Sequence, residues 1–385
     1  MKNLVFIHNV FKEQELYKDS FIFPRYIAQH HGLNPSIIYH VTSDTQKLAP
    51  QYLDVELTPL KYKGKLNNFS FRGAWYLFIY CIRNASRMDV LVRMHISYQT
   101  VLFALIYKLF NKKGTFILRT DGYGIAAALK RPSGGLVRRQ ANRTISQIIS
   151  SLLKRTDQIC VETPDLYDFL TERYPQYSHK MRFILMGFDE ELYQSDSPSE
   201  RPLTEKENIM IASGRIGSKQ KNTELLLEAA ANVDLKNWKL VLIGPIESDE
   251  CDFQKYIDGY FKKYPQLKEH IIFTGEIKDR KAYWEWFDRA SVFVHTAIYE
   301  SYGIVLTEAT RFKNYIISTD VGIAREMIAK GSGEIIPSDN PEKLGNILQA
   351  IVNGEKNVKE LIRNNHCKPQ DISYENEIKK LSLNL

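Results

Sequence analysis

Short apolar runs that read as buried strands alternate with helical segments along this chain, and the alternation stops and restarts once. In the front half the strand-like runs are residues 4–7, 36–39, 90–94, 115–118, 158–161 and 182–185. Helical segments such as 21–30, 74–81 and 100–109 lie between them. Strands alternating with helices predict a parallel sheet covered on both faces. The pause falls at 192–206, LYQSDSPSERPLTEK, which is rich in Ser, Pro and charge and lacks periodicity. The pattern then resumes, with strands expected at 209–213, 239–243, 271–274, 292–295, 315–318 and 333–336. Helices are expected at 223–232, 278–289, 307–312, 324–329 and 341–352.

The expected fold class is therefore α/β, with two Rossmann-like domains in series and a cleft between them. Residues 1–190 form the first, 191–206 the linker, 207–365 the second, and 366–385 a C-terminal helix that returns to the first. A length of 385 residues fits two domains of ordinary size. With 44% hydrophobic residues the chain has material for sizeable cores, which excludes global disorder. The four cysteines, at 81, 160, 251 and 367, have no metal-ligand or redox spacing, so free thiols in a reducing compartment are expected. No apolar run reaches the 18–20 residues or so of a membrane span, and the N-terminus lacks a signal-peptide pattern. A cytoplasmic protein is expected.

Ligands in such sheets bind at the carboxyl ends of strands, so the loops there carry the chemistry. After strand 209–213 come Gly214-Arg215 and then Lys221-Asn222-Thr223 at a helix start. An arginine fork and a lysine point charge at one strand end suit a diphosphate. After strand 292–295 comes TAIYESYGIVLTEA, with Glu300 and Glu308 eight apart and Gly303 between them. The loop would leave backbone N–H groups free at a helix start, which is an anion site. Glu308 is placed to accept from ribose hydroxyls.

In order, these pieces resemble the C-terminal domain of retaining GT-B glycosyltransferases, the family-4-like (group 1) enzymes. The match rests on Arg215 and Lys221, on Glu300 and Glu308, and on the Gly322-x-x-Arg325-Glu326 turn. The resemblance implies that Arg215 and Lys221 neutralise the donor diphosphate and that Glu300 lies by the donor sugar. It implies that the backbone at Tyr302, Gly303, Ile304 and Val305 holds the diphosphate and that Glu308 holds the ribose. The stretch ending in Glu276 and Ile277 would meet the base. The donor that the resemblance implies is a nucleotide sugar, UDP-linked before GDP-linked, with no cofactor required. No Asp-x-Asp motif is present, so no metal is expected, and Asp249–Asp252 reads as a solvated loop.

The front half departs from the family. The loop after its first strand, His8-Asn9-Val10-Phe11-Lys12-Glu13, has no glycine. Asp121 stands where many relatives place a histidine beside the reacting sugar. It can accept a hydroxyl proton or shield positive charge, or it can simply cap a glycine turn. His95 ends another strand at the expected acceptor side.

The net charge of +7 divides unevenly, +11 over residues 1–190 and −4 over the rest. Seven Lys or Arg and no acid lie between Lys130 and Arg155. There Arg138, Arg139 and Arg143 alternate with Val137, Ile145, Ile148, Ile149, Leu152 and Leu153, which reads either as a basic amphipathic helix for a membrane surface or as a helix packed on its sheet. The expected acceptor is a glycan or a lipid-linked glycan, with the inner face of the membrane as a second location. Two other functions fit the same outline: a sugar-nucleotide epimerase of this fold, and a non-enzymatic nucleic-acid binder. The basic stretch lacks interleaved aromatics and no DNA-binding motif is present, which argues against nucleic acid.

Overall fold

The computed structural model describes residues 1–41, 48–61, 71–121, 135–196, 200–247, 252–365 and 367–383, and side chains at 71–73, 135–142 and 195–196 are not described. Two compact units form. Unit 1 comprises Met1–Gly187 and Ser373–Leu385, and unit 2 comprises Phe188–Ile372.

The sheet of unit 1 has the order β3-β4-β2-β1-β5-β6-β7-β8. Its strands are β1 (Lys2–Val10), β2 (Leu33–Val41), β3 (Gln51–Tyr52), β4 (Val55–Lys61), β5 (Val90–Met94), β6 (Thr115–Thr120), β7 (Gln158–Val161) and β8 (Met181–Phe183). All pairs are parallel except β3–β4. Successive residues of β1 enter opposite cores: Leu4 and Phe6 one, Val5 and Ile7 the other. Both faces are thus buried, which is why these strands read as unbroken apolar runs. The strand order reverses between β1 and β5.

Unit 2 has the order β11-β10-β9-β12-β13-β14, parallel throughout. Its strands are β9 (Glu207–Ser213), β10 (Lys239–Ile243), β11 (Ile271–Gly275), β12 (Ala290–His295), β13 (Tyr315–Thr319) and β14 (Ser332–Ile336). This is the doubly wound Rossmann order, and its reversal lies between β9 and β12.

Several elements were not legible locally. Strand β4, VELTPLK, carries Pro59 and little apolar material, and the helices Pro164–Arg173, Phe253–Lys263 and Val358–Arg363 were not anticipated. The stretch 191–206 falls inside unit 2 and includes most of the helix Glu190–Asp196. Tyr193 packs edge-on to Trp284 and Phe312, and buried Arg311 pairs with both Glu190 and Glu200. Polar composition hid these contacts because its charges are partnered across unit 2.

The C-terminal segment joins unit 1 through a short helix, Tyr374–Ile378. Tyr374 stacks on Tyr26 and donates a 2.6 Å hydrogen bond to Asp19, and Glu377 accepts from the Leu185 N–H at 2.9 Å. Asp19 also takes Nε and Nη2 of the fully buried Arg119, at 2.9 and 3.2 Å.

The basic helix spans Gly135–Arg155. Its Ile149, Leu152 and Leu153 are buried in the core of unit 1, with Ile145 packed against it. That corrects the reading of a free apolar face, because the sheet already covers those side chains. Arg143 is exposed, whereas the side chains of Arg138 and Arg139 lie outside the described residues.

Candidate functional site

The reversal of strand order in unit 2 brings the ends of β9 and β12 side by side, and the predicted residues follow them. Strand β9 ends at Ser213 and runs into Gly214, Arg215 and, after a tight turn, Lys221. A Cβ on Gly214 would sit 2.9 Å from Cε of Lys221, so the lysine stem crosses the bare backbone there. The Lys221 ammonium forms an ion pair with Glu300, both being mostly buried. Gln220 donates to the Tyr299 carbonyl at 3.1 Å and to Oε2 of Glu300 at 3.4 Å, and accepts from Arg215 at 2.7 Å. Arg215 itself is exposed and reaches the glutamate only through Gln220.

His295, the last residue of β12, was not singled out by its position in the sequence. It is buried, and its Nε2 lies 3.4 Å from Oε1 of Glu300. Burial pushes its imidazole below the ordinary value, so it is neutral at neutral pH. Burial alone would raise the Glu300 carboxyl, but His295 and the Lys221 charge outweigh it and hold Glu300 below its usual range. Glu300 is therefore an ionised, cation-bound acceptor.

The loop after Glu300 is held by a second close approach. Gly322 has φ 54°. A Cβ there would meet the Tyr302 carbonyl at 2.0 Å, and that carbonyl accepts from the Ile323 N–H at 2.9 Å. Gly303, with φ 90°, then starts the helix Ile304–Arg311, and no side chain caps it. The N–H groups of Ile304 and Val305 open onto the loop as an anion site would. The side chain of Tyr302 is core rather than ligand surface. Arg325 is exposed and pairs with Asp320 through both nitrogens, at 2.7 and 2.6 Å.

Glu308 is 3% exposed and carries three donors. Arg280 pairs with Oε1, Trp284 Nε1 donates to Oε1 at 3.1 Å, and the Tyr283 hydroxyl donates to Oε2 at 3.1 Å. Tyr283 has one proton to give and the carboxylate can only accept, so Ser213 must be the donor in its 3.0 Å bond to Tyr283. A buried polar chain thus ties the end of β9 to Glu308. Sequence reasoning missed Arg280, Tyr283 and Trp284. Their i, i+3, i+4 spacing on the helix Arg280–Arg289 was the available signal. Glu276, exposed, and Ile277, half-buried, follow β11, two strands from β9. Residues 248–251, which include Asp249, lie outside the described residues.

In unit 1, His8 lies on β1, His95 follows β5 and Asp121 follows β6, three neighbouring strands. His8 is half-buried and packs against Phe6 and Phe11, and desolvation pushes its imidazole down to about 4, so it is neutral at neutral pH. His95 sits at φ 61°, an uncommon conformation for a side-chain-bearing residue. Its Nδ1 is 3.2 Å from Oδ1 of Asp121. Burial would lower the His95 imidazole, but the hydrogen bond and charge of Asp121 raise it above its ordinary value. The two candidates on the expected acceptor side form one pair. Because the folded value is raised, the pair adds stability below about pH 6.5 that is lost as pH rises through the folded value. Asp121→Asn is expected to drop the His95 titration midpoint in an NMR pH series, and an unmoved midpoint would show that the pair is not formed.

Residues 194–366 match the family model described as glycosyl transferases group 1. The amylovoran biosynthesis glycosyltransferase AmsD of Erwinia amylovora is 28% identical over 152 residues, 39% of this chain. The match spans 40% of that relative's length. Among solved structures, sucrose-phosphate synthase from Thermosynechococcus elongatus superposes with a TM-score of 0.66 at 16% identity, covering 99% of this chain and 97% of the other. Anabaena Alr3699/HepE, in complex with UDP, superposes with a TM-score of 0.66 at 13% identity over 98% of each chain. These likenesses are of fold, the GT-B architecture of two parallel-sheet Rossmann-like domains.

Proposed function

We propose that this chain, a group 1 glycosyltransferase by its residues 194–366, is a retaining, metal-independent enzyme that moves a sugar from a nucleoside diphosphate sugar to a glycan or lipid-linked acceptor in surface polysaccharide or glycolipid synthesis. The observation that carries this reading is the Lys221–Glu300 pair beside the uncapped N-terminus of the helix Ile304–Arg311. Buried cation, ionised carboxylate and free N–H groups meet at one strand-end crevice. A diphosphate would take the N–H groups and Lys221, with Arg215 closing from the surface. Glu300, released in part from Lys221, would accept from hydroxyls of the donor sugar. Oε1 of Glu308 already has two donors, and Oε2 keeps a lone pair for the ribose. UDP is the favoured nucleotide, since Alr3699/HepE, a protein of the same fold, was solved with UDP and with UDP-glucose. In such a reaction the leaving phosphate takes the acceptor proton on the same face, and the protein positions groups and stabilises charge. The His95–Asp121 pair is assigned to the acceptor side. An epimerase is not favoured, because the site offers charge stabilisation rather than a dedicated acid and base.

The test is turnover of UDP- and GDP-sugars with a membrane extract, with the anomeric configuration of the product read by NMR. Retention is expected. Glu308→Gln should raise the donor KM about tenfold with kcat little changed, whereas Arg215→Ala should lower kcat as well. Unchanged kinetics in both would remove the donor site proposed here.

A further inference from the structure

The reversal of strand order in unit 1, between β1 and β5, is where an open parallel sheet takes a ligand, and the donor site makes no use of it. Arg93 lies there, one residue before the end of β5, and is 5% exposed. Its Nη1 donates to the Ile7 carbonyl on β1, its guanidinium lies 4.3 Å from the centre of the Phe103 ring, and its Nε has no partner. The other buried arginines, Arg25, Arg119 and Arg311, each pair with an acid. Among the described residues no carboxylate pairs with Arg93. The neighbour whose negative form would favour its charge is Cys81, and burial pushes that thiol up to about 12, so it stays neutral. Burial pushes Arg93 itself down to about 10, which leaves it charged at neutral pH. A buried charge without a counter-charge is costly, and an opposite charge from outside the chain would relieve it.

Polar groups of the same sheet face surround this end of β5. Asn9, on β1, donates to Oε1 of Gln99, which lies in the first turn of the helix Tyr98–Phe110. The unpaired N–H groups and dipole of that first turn favour negative charge. His40, near the end of β2, is buried and meets the Tyr76 ring of the helix Phe71–Asn84 edge-on. Neither helix contains an Asp or Glu. Besides burial, the Arg93 charge opposes protonation of His8 and of His95, so it acts beside the His95–Asp121 pair.

We propose that Arg93 anchors an oxyanion subsite in unit 1, lined by Asn9, His40 and Gln99, that takes the phosphate or carboxylate group of an anionic acceptor. A planar guanidinium fork suits either group, since both offer paired oxygens. A neutral glycan would leave the buried charge as it stands, and a metal cation would add to it. Calling the ligand an acceptor rests on the transferase reading; the subsite itself does not.

The test is thermal unfolding of the full chain at fixed ionic strength, titrated with inorganic phosphate, a hexose phosphate, a hexuronate or the neutral hexose. The anions should raise Tm saturably and the neutral hexose should not. The tighter of hexose phosphate and hexuronate identifies the source of the oxyanion. Arg93→Met should weaken the anion response by about tenfold or more without lowering the Tm of the free chain, because it removes an uncompensated charge. Gln99→Glu keeps an acceptor for Asn9 and sets a negative charge at the subsite, so it should weaken the response about tenfold; this arm stands even if the methionine variant folds poorly. Lys221→Ala should leave the response intact, which separates it from a diphosphate site in unit 2. No response to any anion, a response that survives both subsite variants, or one that Lys221→Ala removes overturns the proposal. A lower Tm in Arg93→Met with the anion response intact marks a structural arginine and overturns it too. An anion response lost with Arg93 in a chain that transfers no sugar would uphold the subsite and remove the transferase reading. Transfer to a neutral acceptor with no anion response would do the reverse.

Discussion

Lys221→Ala is expected to lower kcat/KM for sugar transfer by about a thousandfold, the upper range for removing one preorganised charge from a site where negative charge develops. The effect should be large because Lys221 does two things at once. It would meet the diphosphate, and in the free protein it neutralises Glu300, which is only 10% exposed. Without it, burial acts on the Glu300 carboxyl with neutral His295 and the Gln220 amide in opposition, and the carboxyl moves up. The acid limb of the kcat–pH profile should therefore shift to higher pH along with the loss of rate. Lys221→Arg should not restore activity, since a planar fork cannot follow the narrow path across Gly214 and end as a point charge. Steady-state kinetics with the proposed nucleotide-sugar donor would decide this. Activity within a few-fold of the unaltered enzyme would mean that Lys221 does not face the diphosphate.

Arg119→Met should destabilise unit 1 by about 3–5 kcal/mol, the usual loss when one partner of a buried ion pair is removed. Arg119 gives Asp19 two bonds, gives the Ile184 carbonyl one at 2.6 Å, and lies over the ring of Phe23. Its Nε is also 3.2 Å from Oε1 of Glu162, which is 1% exposed. Burial pushes the Glu162 carboxyl well above its ordinary value, so this acid holds its proton where most carboxylates do not. Loss of Arg119 leaves Asp19 with Tyr374 as its remaining charge-side partner and removes the cation that tempers Glu162. Because the folded value of Glu162 is raised, stability falls as pH rises above the ordinary carboxyl value of 4.5. Arg119→Met should carry that fall on to higher pH. Urea unfolding followed by circular dichroism across pH measures both effects. A midpoint that does not move would show that the cluster contributes nothing net.

The two predictions differ in how visible their residues were beforehand. Lys221 stood at a strand end beside a helix start, and spacing alone marked it. Arg119 stood in the strand-end stretch Arg119-Thr120-Asp121, where the eye goes to Asp121. Only the partners Asp19, Glu162 and Ile184, drawn from three segments, show that Arg119 is structural. Glu308 was marked for the ribose, yet its three donors came from a helix read only as a helix. The stretch 191–206 was taken for a linker because its charges look solvated, and Arg311 supplies the partner.

The sequence by itself determined two doubly covered parallel sheets, the strand ends that matter, and the residue types carried there. Those follow from local periodicity, because a strand or helix must bury one face and its spacing records which. Tertiary structure decided which strand ends are neighbours. Strands β9 and β12 lie side by side although β10 and β11 separate them in the chain, and that order alone sets Lys221 against Glu300. It also decided which polar groups are spent on one another, through contacts between segments 80 to 355 residues apart that no local pattern records.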